Sequence, residues 1–158
     1  MSLRVGLGYD IHRIAAGRPL VLGGVRFDSP WGLDGHSDAD VLLHAVGDAL
    51  LGAAGLGDLG THFPPDDPRW KDASSLDLLR RIAVLLAEAG AGIENVDAMV
   101  VAEAPRLAPQ REAMCGNIAG ALGITRDRVS VKATTNEQLG ALGRREGIAA
   151  TAVALVTR

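Results

Sequence analysis

The chain has 158 residues, 47% of them hydrophobic, and a formal charge of −3 at neutral pH. That length and apolar content suit one cored domain over residues 1–158, and the near-balanced charge argues against general nucleic-acid binding or attachment to an anionic membrane, leaving only local phosphate recognition open. Cys115 is the single cysteine, so no internal disulfide can form; no apolar run reaches transmembrane length and no cleavable hydrophobic region precedes "DIHR", which makes the cytoplasm the expected location.

Residues 3–13 read as a strand, and in an extended chain Asp10 and His12 share a face, about 7 Å apart along the backbone. "PLVLGGVRF" reads as a hairpin turning on Gly23 and Gly24. "GLDGHSDAD" is then a loop, with Ser37 and Asp40 as a capping box for a helix running from Asp40 to about Gly52, which leaves His36 just before a positive helix end that favours phosphate. On that helix Asp40, His44 and Asp48 fall four apart, on one stripe. Asp10, His12 and His44 together make an N/O ligand set suited to Zn²⁺ with a fourth position open for water or substrate, and Asp40 or Asp48 could hold the other ring nitrogen of a ligating histidine. The bland alternative for each histidine taken alone is a surface or cap residue.

Asp58 lies in a tight turn between Gly57 and Gly60, where it could bind sugar hydroxyls; Asp66 and Asp67 could start turns, and His62 is expected as an exposed loop histidine. A second helix is expected from Ser75 to Glu88 with an apolar stripe of Leu76, Leu79, Ala83, Leu86 and Ala87, ended by Gly90. "NVDAMVVAEA" reads as a buried strand stopped by Pro105, and a third helix from about Pro109 to Leu122 presents Ala113, Met114, Ile118, Ala121 and Leu122. "RVSVKATT" and "GIAATAVALVT" are the last strands, joined by the Gly-rich "NEQLGALGRRE". At the end of the first of these, Thr134, Thr135 and Glu137 could hold a diphosphate through hydroxyls and Mg²⁺; a turn with a solvated Glu is the equal alternative. The whole is an α/β domain, layered in the α+β manner, with a mostly β sheet, helices on one face and a bare face that another subunit must cover.

"GYDIH", "HSDADVLLHAVGDALLGAAGLGDLG", "FPPDDP", "AEAPRL", "VKATTNEQLG" and "GRREGIAATAVAL" follow one another in the order and approximate spacing of the 2-C-methyl-D-erythritol 2,4-cyclodiphosphate synthases. The chain resembles that family from about Arg4 to Val156. The resemblance implies an enzyme of non-mevalonate isoprenoid biosynthesis that forms a cyclic diphosphate from 4-diphosphocytidyl-2-C-methyl-D-erythritol 2-phosphate and releases CMP. It implies Zn²⁺ on Asp10, His12 and His44, Mg²⁺ or Mn²⁺ on Glu137, and transition-state roles for His36 and Thr135. Ser37, Asp58 and Gly60 match the methylerythritol contacts, and Asp66 or Asp67 could take a duty of the substrate loop. The peptide from Ala102 through Pro105 to Leu107 matches the cytosine pocket, with Thr134 near the diphosphate. The family implies a homotrimer with active sites between subunits and a central cavity that can take an isoprenoid diphosphate. No fusion to the preceding cytidylyltransferase is expected.

Some positions depart from the family pattern. Pro65 replaces an Asp of the "FPDTDP"-like loop, Gln138 stands where a Lys is usual, and Ala141 and Thr151 replace a Phe and a Glu of the central cavity. Arg144, the anion end of that cavity, is kept. Two other classes fit the same residues: a metal-dependent phosphohydrolase using Asp10, His12 and His44, and a non-enzymatic oligomeric module with structural Zn²⁺.

Overall fold

The computed structural model describes residues 1–158. Its first element, β1 (Leu3–Ala16), alternates small or polar residues with large apolar ones, and the small ones face the interior. Gly6 and Gly8 are buried while Val5 and Leu7 are each 69% exposed. Helix α1 (Val41–Ala54) takes the space that side chains would fill, because a Cβ on Gly6 would stand 1.9 Å from the Ala49 carbonyl oxygen. Backbone thus rests on backbone, and Asp10 and His12, next on the same face of β1, point toward α1.

Between them the chain forms the expected hairpin. β2 (Leu20–Leu22) pairs with β3 (Val25–Phe27), Leu22 opposite Val25, and Gly23 and Gly24 take φ of 58° and 71°, the left-handed pair that a two-residue turn requires. A short β4 (Trp31–Leu33) then pairs with the end of β1, so the predicted loop begins only at Asp34. Three residues are too few for alternation to reveal a strand.

Helix α1 is buried on nearly every side; only His44, Asp48 and Gly52 reach the surface. Its N-cap is Asp40, fully buried, whose side chain accepts from the Leu43 amide and from the amides of Gly23 and Gly24, tying the helix start to the hairpin turn. The expected capping box led by Ser37 therefore does not form, and Asp40 leaves the stripe it was expected to share with His44 and Asp48. After α2 (Leu59–His62) and a 3₁₀ turn (Pro68–Trp70), α3 spans Ser75–Glu88 as expected. Its core side is Ser75, Leu78, Leu79, Ile82 and Leu86; Ala87 is exposed. The stripe is turned from the expected one because α3 packs between α1 and α4 and not flat on the sheet.

β5 (Gly92–Val101) is followed by a 3₁₀ turn (Ala108–Gln110) running into α4 (Arg111–Leu122). In α4 Cys115 and Ala119 join the core and Ala113 is exposed. A further 3₁₀ turn (Arg126–Arg128), β6 (Val129–Thr134), α5 (Gly140–Gly143) and β7 (Gly147–Thr157) complete the chain. The five-stranded sheet runs β4-β1-β7-β5-β6, antiparallel except for β5 with β6. Helices α1 and α4 cover one face, and one continuous aliphatic core lies between. The other face carries Leu3, Val5, Leu7, Tyr9, Ile11 and Val153, all exposed. No helix is long and apolar enough to cross a membrane.

Candidate active site

Three side chains from two elements meet where α1 crosses β1. Asp10 Oδ2 lies 2.8 Å from His12 Nε2 and 3.0 Å from His44 Nδ1, and the two histidine nitrogens are 3.3 Å apart. Three donor atoms at these separations match the edges of a tetrahedral coordination sphere with one corner left open, and one carboxylate with two imidazoles is a set that a divalent cation such as Zn²⁺ accepts. Burial opposes ionisation of Asp10, but hydrogen bonds from His12 and His44 outweigh it and hold the carboxyl at about 2. Burial likewise works against the charged form of His12, while the bond to Asp10 and its charge raise its pKa.

The outer ring nitrogens are also held. His12 Nδ1 donates to the Asp34 carbonyl at 2.7 Å, which makes Nε2 the nitrogen that faces Asp10. His44 Nε2 lies 2.9 Å from Ser75 Oγ and 3.1 Å from Ser37 Oγ. Neither Asp40 nor Asp48 takes this role, contrary to expectation: Asp40 is engaged by three backbone amides, and Asp48 accepts from the Leu59 amide at 2.8 Å. Burial pushes Asp40 up to about 6, with its amide bonds opposing and the charge of Asp38 adding to the rise. Burial raises Asp48 too.

A cleft of about 260 Å³ opens over the three ligands, with His36, Ser37 and Asp48 on its rim and an apolar wall that includes Phe63 and Trp70. Those two rings meet edge to face at 5.0 Å, bracing the wall. His36 is exposed, on a segment fastened by Arg18, whose guanidinium donates to the carbonyls of Leu33, Gly35 and Ser37. Pro65 also borders this cleft. Asp58 and Gly60 do not line it: Asp58 caps α2, its carboxylate accepting from the Thr61 amide at 2.9 Å and hydroxyl at 2.7 Å. Asp67 caps the 3₁₀ turn and pairs with Arg69 at 2.6 Å. His62, expected to be exposed, is half-buried and bonded to the Leu56 carbonyl at 2.7 Å, because the short α2 folds it back on the end of α1.

A second group gathers beyond β6. Thr135 and Glu137 border a cleft with Arg144, whose guanidinium pairs with Glu146 at 3.3 Å. Glu103 fixes the loop, accepting from the amides of Asn136 at 2.7 Å and Gln138 at 3.0 Å. These bonds hold Glu137 and Gln138 in left-handed backbone, φ 51° and 59°. Ala102, Pro105, Leu107 and Thr134 line an adjoining recess of about 190 Å³. In register, His12 faces Ile148 while Val101 and Thr134 align with Ala149, so both groups lie at one end of the sheet. Three strand spacings separate β1 from β6, about 14 Å at about 4.8 Å each.

The YgbB family model matches residues 3–157. The chain belongs to the YgbB family. A 2-C-methyl-D-erythritol 2,4-cyclodiphosphate synthase of Symbiobacterium thermophilum is 63% identical over 152 residues, 96% of this chain and 97% of that protein. Among solved structures, the bifunctional IspDF of Campylobacter jejuni superposes with a TM-score of 0.94 at 42% identity, covering 98% of this chain and 42% of that longer one. IspF of Plasmodium falciparum, in complex with CDP, superposes with a TM-score of 0.86 at 35% identity over 98% and 96% of the two chains. For a YgbB chain the three-ligand cleft and the loop from Thr134 to Glu137 are thus the two places to look for chemistry. Sequence reading missed Ser75, Asp38, Arg18 and Glu103, which act on site residues only through the fold; the one signal, for Asp38 and Ser75, was the density of Ser and Asp around the starts of α1 and α3.

Proposed function

We propose that the chain converts 4-diphosphocytidyl-2-C-methyl-D-erythritol 2-phosphate into 2-C-methyl-D-erythritol 2,4-cyclodiphosphate and CMP. The observation that carries this reading is the convergence of Asp10, His12 and His44 beneath a cleft rimmed by His36 and Ser37, in a chain that matches synthases over nearly its full length. An oxygen of the substrate's 2-phosphate attacks the β-phosphorus, the bond from that phosphorus to the oxygen shared with the α-phosphate breaks, and CMP departs with the electron pair. No protein nucleophile is needed, so positioning and charge neutralisation supply the catalysis.

Asp10, His12 and His44 would hold Zn²⁺, and Glu137 would hold Mg²⁺ or Mn²⁺; bound there, the cations supply Lewis acidity and neutralise phosphate charge. His36 and Thr135 donate hydrogen bonds to phosphoryl oxygens as charge moves onto them. Ser37 orients the methylerythritol, and Asp58, Gly60 and Asp67 join it only where the loop from Gly57 to Pro68 closes over the cleft. Ala102, Pro105 and Leu107 cradle cytosine largely through backbone groups, with Thr134 beside the diphosphate.

The two groups are completed by a homotrimer, each subunit bringing its Thr134–Glu137 side to a neighbour's metal cleft. The exposed apolar row of β1 and the separation of about 14 Å within one chain support this arrangement. Arg144 would meet an isoprenoid diphosphate near the trimer axis, in a cavity widened by Ala141 and Thr151, and the enzyme would work in the cytoplasm. Incubation of the purified protein with substrate, Zn²⁺ and Mg²⁺, followed by phosphorus NMR, tests the reaction: a cyclic diphosphate with CMP is expected. A linear diphosphate would reassign the site to hydrolysis.

A further inference from the structure

We infer that Ser75 and Asp38 form a hydrogen-bond relay that fixes the tautomer and orientation of His44, making Ser75 a positioning residue for the metal centre. The inference deepens the reading of Asp10, His12 and His44 as a metal site and rests on it.

Ser75, the first residue of α3, is 1% exposed, and a buried hydroxyl in such a place needs partners. Its Oγ makes a short hydrogen bond to Asp38 Oδ1, and its backbone N–H donates to Asp38 Oδ2 at 2.9 Å. Asp38 Oδ1 accepts the Asp40 amide as well, at 3.1 Å. An ionised carboxylate only accepts, so the single proton of the Ser75 hydroxyl is committed to Asp38. Toward His44, 2.9 Å away, Ser75 Oγ can then act only as an acceptor. His44 Nε2 must carry a proton, and Nδ1 is the nitrogen turned toward Asp10 and His12, where a bound cation would take its lone pair.

Ser37 Oγ, at 3.1 Å from the same nitrogen, lacks this constraint. Its own proton is not tied to a carboxylate, so its hydroxyl can turn to suit either tautomer. His44 is therefore oriented by a carboxylate acting across a serine, while His12 is oriented by the neutral Asp34 carbonyl. Such outer partners raise the basicity of the ligand they hold, and removing one typically lowers metal affinity about 10- to 100-fold.

The test uses the full chain stripped of metal. Nitrogen-15 NMR of the wild type reads the His44 tautomer directly, and competition with a chromogenic chelator reads Zn²⁺ affinity, with the visible absorption of bound Co²⁺ reporting coordination. The expected result is protonation at Nε2 in the wild type, mixed tautomers in Ser75→Ala, and Zn²⁺ affinity lowered about 10- to 100-fold in Ser75→Ala and Asp38→Asn but less in Ser37→Ala. A bare, unprotonated Nε2 in the wild type overturns the relay without recourse to any variant. So does a folded Ser75→Ala chain that binds Zn²⁺ within about twofold of the wild type. A wild-type chain that takes up neither cation overturns the metal reading itself, and with it the role given to Ser75.

Discussion

Gly8 on β1 lies directly beneath Ala45 on α1, so close that a Cβ at Gly8 would stand 1.9 Å from the Ala45 carbonyl oxygen. Ala45 is the next residue after His44, and Gly8 is two before Asp10. The glycine therefore sets the height of one metal ligand above the other two. In Gly8→Ala the helix must rise by more than an ångström, since backbone cannot yield as a flexible side chain would. The substitution is expected to destabilise the fold by about 1–3 kcal/mol, the ordinary range for overpacking, and to weaken Zn²⁺ binding even where the protein stays folded. Urea denaturation beside a metal titration checks both effects; unchanged metal affinity would mean that Asp10, His12 and His44 tolerate the displacement.

Leu7 projects from the opposite face of the same strand and is 69% exposed, in a row with Val5 and Tyr9. An apolar row of this length marks a surface that something covers, and a second copy of the chain fits the two half-sites at one end of the sheet. Leu7→Asp introduces three charges around a trimer axis. It is expected to shift the protein to monomer in sedimentation and to abolish turnover, while circular dichroism stays native because Leu7 contributes little to the core within one chain. A monomer with full activity would refute the shared site.

The pH dependence of the metal-free protein follows from Asp40 and His12. Burial raises Asp40 to about 6 from an ordinary 3.8, so the folded state holds its proton more tightly than the unfolded one. Its contribution is fully present below 3.8 and is lost as pH rises from there through about 6. The raised pKa of His12 acts in the same direction, giving stability below the unfolded value that is lost as pH rises through the folded one. Asp10 acts oppositely: held at about 2, it stabilises above 3.8 and loses that effect as pH falls toward 2. Denaturation curves should therefore show greatest stability near pH 4, with a decline from there toward pH 8 that Zn²⁺ reverses. A stability that climbs steadily from pH 5 to 8 would contradict the assignment of both raised groups.

Much of this was legible because the site sits on long, regular elements. The two-residue spacing of Asp10 and His12 reads as one face of a strand, and the four-residue spacing between Asp40 and about Gly52 as a helix carrying His44. The ends of α3 were legible from Ser75 and Gly90. What was hidden depends on contacts between distant segments: Ser75 reaches His44 across 31 positions and no periodicity joins them. Asp40 was placed on the His44 stripe because four-residue spacing ignores the cap, where the backbone leaves the helix and turns the side chain toward Gly23 and Gly24. In β1 the large residues face outward and the glycines inward, an inversion that only the close seat of α1 explains.

Glu103 carries the last prediction. Its carboxylate takes the amides of Asn136 and Gln138, one on each oxygen, and so shapes the loop that presents Thr135 and Glu137. Two non-glycine residues in left-handed backbone stay there only while the surroundings hold them, because that conformation is itself unfavourable. Glu103→Gln keeps the length but replaces one acceptor by an amide donor that faces a backbone N–H, losing one charge-assisted bond and weakening the other, each worth about 1.5–3 kcal/mol. The loop should loosen without harm to the Zn²⁺ cleft at the far side of the sheet. Turnover should fall about 10-fold or more, Mg²⁺ should be needed at higher concentration, and Zn²⁺ affinity should stay within about twofold of wild type. Amide hydrogen exchange localised to residues 135–138 separates this from a general loss of stability, and unaltered exchange there would show that Thr135 and Glu137 are held by other contacts.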